Sequence, residues 1–117
     1  MSEIRRPVNL HDAYHAHVYF DAEHAAFARD LCQQAGKRFD LIVGRFHEKK
    51  VGPHPVWSCQ LAFGKTEFAE LVPWLDSARG GLSVFVHPLT GDDIADHTAY
   101  ASWLGDSMEL DLTVFTD

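Results

Sequence analysis

Histidine is the residue type in this chain best suited to chemistry, with eight copies against ten Lys and Arg together in 117 residues. Four of them lie in three separate segments: His15 and His17 two residues apart, then His54, then His87. Neutral imidazole nitrogens suit zinc, iron, copper and nickel, and three of them leave positions open for water and a substrate. Residues i and i+2 of a strand point the same way about 7 Å apart, so one of His15 and His17 can bind a metal while the other moves protons.

The same four histidines have a second interpretation, because an isolated His on an open sheet face is commonly solvated or hydrogen-bonded at a subunit interface. Their origin in three separate segments favours metal binding over that interpretation. We expect the remaining histidines to lie at the surface, except His97, which follows Asp96. A carboxylate commonly orients the imidazole of a metal site, so this pair is a candidate partner of the ligands.

Strands and helices must bring these segments together, and the hydrophobic pattern predicts where they lie. The predicted elements are a strand over 14–20, a helix over 22–35 capped by Asp21 and ended by Gly36, strands over 39–46 and 55–63, a helix capped by Thr66 that Pro73 either kinks or restarts, and a strand over 82–87. A short helix from Thr90 toward Gly105 and a fifth strand over 108–112 follow. Residues 1–13 form an arm, and 14–117 form a single domain.

The order strand, helix, strand, strand, helix, strand predicts an α+β, ferredoxin-like fold: a four-stranded antiparallel sheet with two helices on one face. In the spatial order 4-1-3-2 we take strands 1 and 3 to be central and parallel. The starts of both strands and the end of strand 4 would then share one end of the sheet, and the four histidines would meet there. Alternation also places them on the face opposite the helices, beside Tyr19.

Composition excludes several classes of protein. A net charge of −7 and the lack of a basic run disfavour nucleic-acid binding, which depends on a positive face. No stretch approaches the roughly 18 apolar residues of a membrane span, and the N-terminus lacks the apolar segment of a signal peptide. Cys32 and Cys59 fit no metal-binding or redox spacing and are expected to be buried thiols. These features predict a cytoplasmic protein.

Five blocks of the sequence resemble the DOPA 4,5-dioxygenase family, and their combination is far more specific than any one of them. The blocks are His15–Phe20, Gly52–Pro55, Val86–Gly91, Asp96–Thr98 and Trp103–Gly105. The resemblance implies extradiol opening of a catechol ring by O₂ with non-haem Fe(II), in a small ferredoxin-like domain. DOPA or a related phenylpropanoid catechol such as caffeate would be the substrate, and zinc or another divalent ion is the alternative metal.

The histidines divide into two predicted roles. We predict one transition-metal ion per chain, bound by His17, His54 and His87, although the motif leaves open which of His15 and His17 is the ligand. His15 or His97 then removes a catechol proton, because imidazole exchanges protons readily near neutral pH.

Other side chains are predicted to complete the site. Non-haem iron oxygenases commonly use two histidines and one carboxylate. The site is therefore either all-His or completed by Glu48 or an acid of the 92–96 segment. Tyr19 and Arg45, with Arg79 as an alternative cation, are the candidates for binding the substrate, because guanidinium groups hold carboxylates through paired hydrogen bonds.

A homodimer is the expected assembly. A sheet covered by helices on one side only would leave Val56, Ala62 and Phe85 facing outward, and the segment after Gly105 is expected to be too small to cover all of them. The competing prediction for the whole chain is a non-enzymatic, dimeric ferredoxin-like module that binds a metal or a small ligand.

Overall fold

The computed structural model describes residues 4–115 and contains a five-stranded antiparallel sheet with two long helices on one face. In chain order the elements are β1 Ala13–Phe20, α1 Ala25–Phe39, β2 Ile42–His47, β3 Trp57–Gly64, α2 Lys65–Ala78, β4 Val84–Pro88, α3 Asp93–Asp96 and β5 Ser102–Leu104. The strands lie in the order β2-β3-β1-β4-β5. The predicted ferredoxin-like α+β fold is confirmed, with one added strand. No helix among the described residues is long and apolar enough to span a membrane.

The core lies between the sheet and the helices. Alternate residues of β1, among them Ala16 and Val18, are fully buried against the apolar stripe of α1, where Leu31 is 3% exposed. The period of two along the strand and of three to four along the helix produces this layer. Cys32 and Cys59 are free, buried thiols in the same core, as predicted.

Helix α1 continues past Gly36, so the prediction that this glycine ends it is wrong. The helix ends at Asp40, which has φ 55° and donates its backbone N–H to the carbonyl of Gly36. A Cβ at position 36 would lie 2.6 Å from Cγ2 of Val43. The glycine is therefore needed for the close approach of β2, rather than for chain termination.

Helix α2 begins after Gly64, two residues before the predicted cap at Thr66. The carboxylate of Glu67 accepts the Gly64 N–H at 2.8 Å, which satisfies one of the unpaired donors of the first turn. Pro73 lies inside a single continuous helix, where its ring removes one backbone hydrogen bond without dividing the helix.

The prediction that strands 1 and 3 are parallel is wrong. β1 and β3 are antiparallel, with Ala13 opposite Gly64 and Phe20 opposite Trp57. The crossover through α1 brings β2 back parallel to β1, and the hairpin then reverses the direction of β3. The start of β3 therefore lies at the far end of β1, and His54 reaches the other histidines through the preceding loop.

The C-terminal segment also differs from its prediction. α3 is a single turn, and the fifth strand is β5, paired with β4 as Val84 to Leu104 and Val86 to Ser102. The alternating 108–112 segment is not a strand. β5 and the following chain cover the open face, so Phe85 is completely buried rather than outward-facing.

A glycine turn sets the path of the chain after β5. Gly105 has φ 78°, and a Cβ there would lie 2.5 Å from Nη1 of Arg79. Arg6 of the N-terminal segment donates to the carbonyls of Trp103 at 3.0 Å and Gly105 at 2.9 Å. The backbone of Arg5 also accepts the Trp103 N–H at 2.8 Å, so the arm packs along β5.

Candidate metal centre

Three histidines lie together on the sheet face that the helices leave open. His15 and His17 are alternate residues of β1, and His87 of β4 is directly opposite His15 in the strand register. One ring nitrogen from each lies within 4.8 Å of those of the other two. Within residues 4–115 this is the one group of three or more candidate ligands, so three of the four predicted histidines form a cluster that can hold a metal ion.

The closest pair in this cluster has the geometry of two ligands. Nε2 of His17 and Nε2 of His87 are 3.0 Å apart. The other nitrogen of His87, Nδ1, donates to the carbonyl of Pro88 at 2.9 Å, so Nε2 bears a lone pair. Two nitrogens that bind one ion at about 2.1 Å are separated by about 3 Å when the bonds meet at a right angle. The pair therefore fits a shared cation.

Burial keeps these imidazoles neutral. Desolvation, followed by the charges of the neighbouring histidines, holds the pKa of His17 well below its ordinary 6.5. Burial lowers the pKa of His87 to about 4, against the opposing effect of its hydrogen bond to Pro88, and the pKa of the half-buried His15 is lowered as well. Because only neutral imidazole can bind a metal, the cluster is in its ligating state near pH 7.

His54 lies beside this cluster and is hydrogen-bonded to a tyrosine. Its ring centroid is 4.2 Å from that of His17, and its Nδ1 is 2.7 Å from the hydroxyl of Tyr19. Tyr19 is 1% exposed, burial raises the pKa of its hydroxyl, and that hydroxyl has no other hydrogen bond among the described residues. If the imidazole donated, the hydroxyl proton would be buried without an acceptor, at a cost of about 1–3 kcal/mol. We therefore assign the Tyr19 hydroxyl as the donor and Nδ1 as the acceptor.

His97 lies next to the cluster from the other side. It follows α3, is half-buried, and its ring centroid is 4.4 Å from that of His87 and 5.6 Å from that of Phe85. Its Nδ1 is 2.7 Å from the carbonyl of Asp93, which leaves Nε2 available for proton exchange. The structure therefore places His97 beside the cluster, as the sequence predicted for a residue of the same site.

Asp96 braces the turn that precedes His97. It is 2% exposed, and its carboxylate accepts the backbone N–H of Thr90 at 3.1 Å and the Thr90 hydroxyl at 2.6 Å. This carboxylate has no hydrogen bond to an imidazole in the described part of the chain. It fixes the segment between β4 and α3, and so the spacing of His87 and His97.

The chain after β5 packs over the site, although the sequence predicted a segment too small to cover the whole open face. We call residues 106–115 the strap. Its Leu110 packs on the buried cluster of Tyr19, Phe85 and Trp103, and its Phe115 ring lies 4.6 Å from that of His97. The Asp111 N–H also donates to the carbonyl of Pro53, in the loop that carries His54, at 2.8 Å.

The predicted cations are not part of the cluster. Arg45 is exposed on β2, which β3 separates from β1. Arg79 instead contacts Asp76 at 2.8 Å and the carbonyl of Leu82 at 3.1 Å, and so fixes the end of α2. Neither arginine has a described contact with a cluster histidine.

The predicted carboxylates are also engaged elsewhere. Glu48 lies 3.9 Å from Arg29 of α1. Asp92 caps α3 by accepting the Ala95 N–H. The candidate ligands in the described residues are therefore all histidines.

An apolar cleft of about 390 Å³ lies toward the far end of β1. It shares Tyr19 with the metal centre, and its walls include Phe27 and Met108. Its ionisable lining residues are Asp21, Asp106 and His24, and no Lys or Arg of the described residues lines it. A carboxylate-bearing ligand would find no arginine or lysine partner there.

Comparison with known families gives one match along nearly the whole chain. The model of the Dopa 4,5-dioxygenase family matches residues 14–114. A DOPA 4,5-dioxygenase of Amanita muscaria is 35% identical over 108 aligned positions, which cover 85% of this chain and 47% of that protein. An uncharacterized 21.2 kDa protein of Botryotinia fuckeliana is 36% identical, over 90% of this chain and 64% of that protein. The chain thus spans between about half and two thirds of the length of these relatives.

A solved structure gives a closer comparison in length. The crystal structure of a candidate dioxygenase from Nostoc punctiforme superimposes with a TM-score of 0.86 and 41% sequence identity. The match covers 89% of this chain and 90% of that one. The fold and its chain length are therefore shared with that protein.

Proposed function

This chain belongs to the Dopa 4,5-dioxygenase family, and from that premise we propose that it is a metal-dependent dioxygenase that opens a catechol ring by extradiol cleavage. In this reaction the C–C bond beside the diol breaks, and both atoms of O₂ enter the ring-opened product. The observation that supports the proposal is the neutral cluster formed by the buried His17 and His87 with the half-buried His15. Both substrates of such a reaction bind through oxygen, and a three-ligand metal site leaves room for them.

We propose that the cluster holds Fe(II), with zinc or another divalent ion as the alternative in purified material. The sequence left open whether His15 or His17 is a ligand and assigned His54 as one; we propose that both His15 and His17 are ligands and that His54 is not. A bound ion would supply open coordination positions for the two diol oxygens and for O₂.

The remaining site residues have roles that follow from their positions. We propose that His97 accepts a proton from a diol hydroxyl, because its Nε2 has no hydrogen bond among the described residues and its ring is centred 4.4 Å from that of His87. Phe85 and Trp103 provide an apolar floor with ring centroids 4.9 Å apart, which limits the water available to the reacting oxygens.

The substrate class is a catechol, and DOPA is the first compound to test. The absence of arginine from the described site removes the main argument for a carboxylate on the substrate side chain. Caffeate, DOPA and an amine-bearing or uncharged catechol therefore belong in one panel.

Oxygen uptake by anaerobically iron-loaded protein tests the proposal. We expect at least one catechol to consume O₂ above a free-iron control and to give a yellow ring-opened product. If no catechol does so in a fully loaded sample, the protein is not this enzyme. The non-enzymatic binding module would then account for the same histidines.

A further inference from the structure

We propose that His54 is a further catalytic residue, which donates a hydrogen bond through Nε2–H to an oxygen of the bound diol, and that Tyr19 is the positioning residue that fixes this tautomer. This inference rests on the proposed function, since it assigns a role within the same site. It differs from the prediction that His54 is a metal ligand and that Tyr19 contacts the substrate directly.

The hydrogen bond between Tyr19 and His54 determines which nitrogen of His54 bears the hydrogen. The 2.7 Å contact joins the tyrosine hydroxyl to Nδ1, and the hydroxyl has no second partner in the described residues. Since the hydroxyl proton must be used in this contact, Nδ1 accepts it. A neutral imidazole with an unprotonated Nδ1 carries its hydrogen on Nε2, which cannot bind a metal in that form.

His87 has the opposite arrangement, and the contrast defines two roles. Its Nδ1 donates to the Pro88 carbonyl at 2.9 Å, so its Nε2 is free to bind a cation. One backbone carbonyl and one tyrosine hydroxyl thus select opposite tautomers in two histidines of the same buried site. The Pro88 carbonyl makes His87 a metal ligand, and the Tyr19 hydroxyl makes His54 a hydrogen-bond donor.

The position of His54 suits a donor to the substrate. Its ring packs on His17 at a centroid distance of 4.2 Å, and it is 8% exposed. An N–H in a site sheltered from water stabilises charge that develops on a nearby oxygen. The hydrogen stays on His54 throughout, so the interaction breaks no bond and requires no co-reactant.

Nuclear magnetic resonance of the metal-free, ¹⁵N-labelled protein reads the tautomers directly. We expect the hydrogen of His54 on Nε2 and that of His87 on Nδ1. Tyr19→Phe should leave His54 as a mixture of tautomers, whereas Tyr14→Phe, at a second buried tyrosine of β1, should change nothing at His54. A His54 hydrogen on Nδ1 in the wild-type protein would overturn the inference.

Metal content after dialysis separates a donor from a ligand. We expect His54→Leu and His54→Gln to keep wild-type metal, and His87→Gln to lose it. Turnover should fall more than tenfold in His54→Leu and less in His54→Gln, because the glutamine amide retains an N–H donor. Loss of metal from both His54 variants would make this residue a ligand and refute the proposal.

Failure of the proposed function has a different signature. A wild-type protein that consumes no O₂ with any catechol counts against the dioxygenase assignment. The tautomer of His54 is measured without metal or substrate, so a hydrogen on Nδ1 overturns the present inference alone.

Discussion

Nε2 of His17 and Nε2 of His87 face each other at 3.0 Å across the pairing of β1 and β4. The lone pair of His87 is directed into this gap, because its other nitrogen already donates to the chain. This spacing would fit a single cation bound by both nitrogens, with the nearby His15 as the proposed third ligand.

Substitution of any of these three histidines should remove the metal. We expect His15→Ala, His17→Ala and His87→Ala each to retain about a tenth or less of the wild-type metal after dialysis, because two imidazoles hold an ion far less tightly than three. Elemental analysis measures this, with His24→Ala as an exposed-histidine control. Full metal in any two of the three variants would disprove the site.

His97→Ala should affect turnover but not metal. We expect it to keep its iron and to lose roughly 10²–10⁴-fold in turnover with a catechol, the usual contribution of a positioned base. His15→Ala separates the two assignments of that residue, since a ligand loses metal and a base does not. If His97→Ala kept wild-type turnover, His97 would not be the base, and another group would have to accept the proton.

The metal-free protein should lose stability as the pH falls from about 6.5 toward about 4. Burial lowers the pKa of His54 and His87 to about 4, whereas the unfolded chain binds these protons near 6.5. The unfolded state therefore carries more protons in this window, and acid favours unfolding. Urea denaturation at several pH values measures the slope, which His87→Gln should flatten.

The strap should limit access to the histidines. Removing the half-buried side chains of Leu110 and Phe115 costs about 1 kcal/mol each, so the double variant Leu110→Ala/Phe115→Ala should open the site roughly thirtyfold more often. Diethyl pyrocarbonate modification of His87 and His97 in metal-free protein, read by mass spectrometry, reports this opening. Val114→Ala, at an exposed strap position, is the control, and equal rates in all three proteins would contradict the expectation.

The homodimer stays a prediction, but a different surface now supports it. Phe85 is covered, whereas Ile42 on the edge strand β2 is 79% exposed. Edge strands with exposed apolar residues favour pairing between chains. Light scattering should give about twice the 13.2 kDa chain mass, and Ile42→Lys should lower it. A monomer mass for the wild type at micromolar concentration would refute the dimer.

The sequence predicted the fold and most of the cluster because both depend on local alternation. The period of two along β1 places His15 and His17 on one face, and the register with β4 adds His87. The resemblance to the family, seen in the same segments, is confirmed by the family match.

The errors arise where distant segments decide the outcome. Alternation over 108–112 suggested a strand, but the edge of β4 is taken by the three-residue β5. Likewise, the tautomer of His54 depends on Tyr19, 35 residues earlier in the chain. Neither local propensity nor periodicity reports on such pairings.

The turn at Gly105 has a consequence for proteolysis. The strap follows directly after Gly105, whose carbonyl accepts a hydrogen bond from Arg6 and whose Cα faces the guanidinium of Arg79. A protease that trims the N-terminal arm beyond Arg6 would therefore release the start of the strap, almost one hundred residues away in sequence. Proteolysis of the N-terminal arm would therefore expose the histidine cluster, although the segment that covers this cluster is the C-terminal strap.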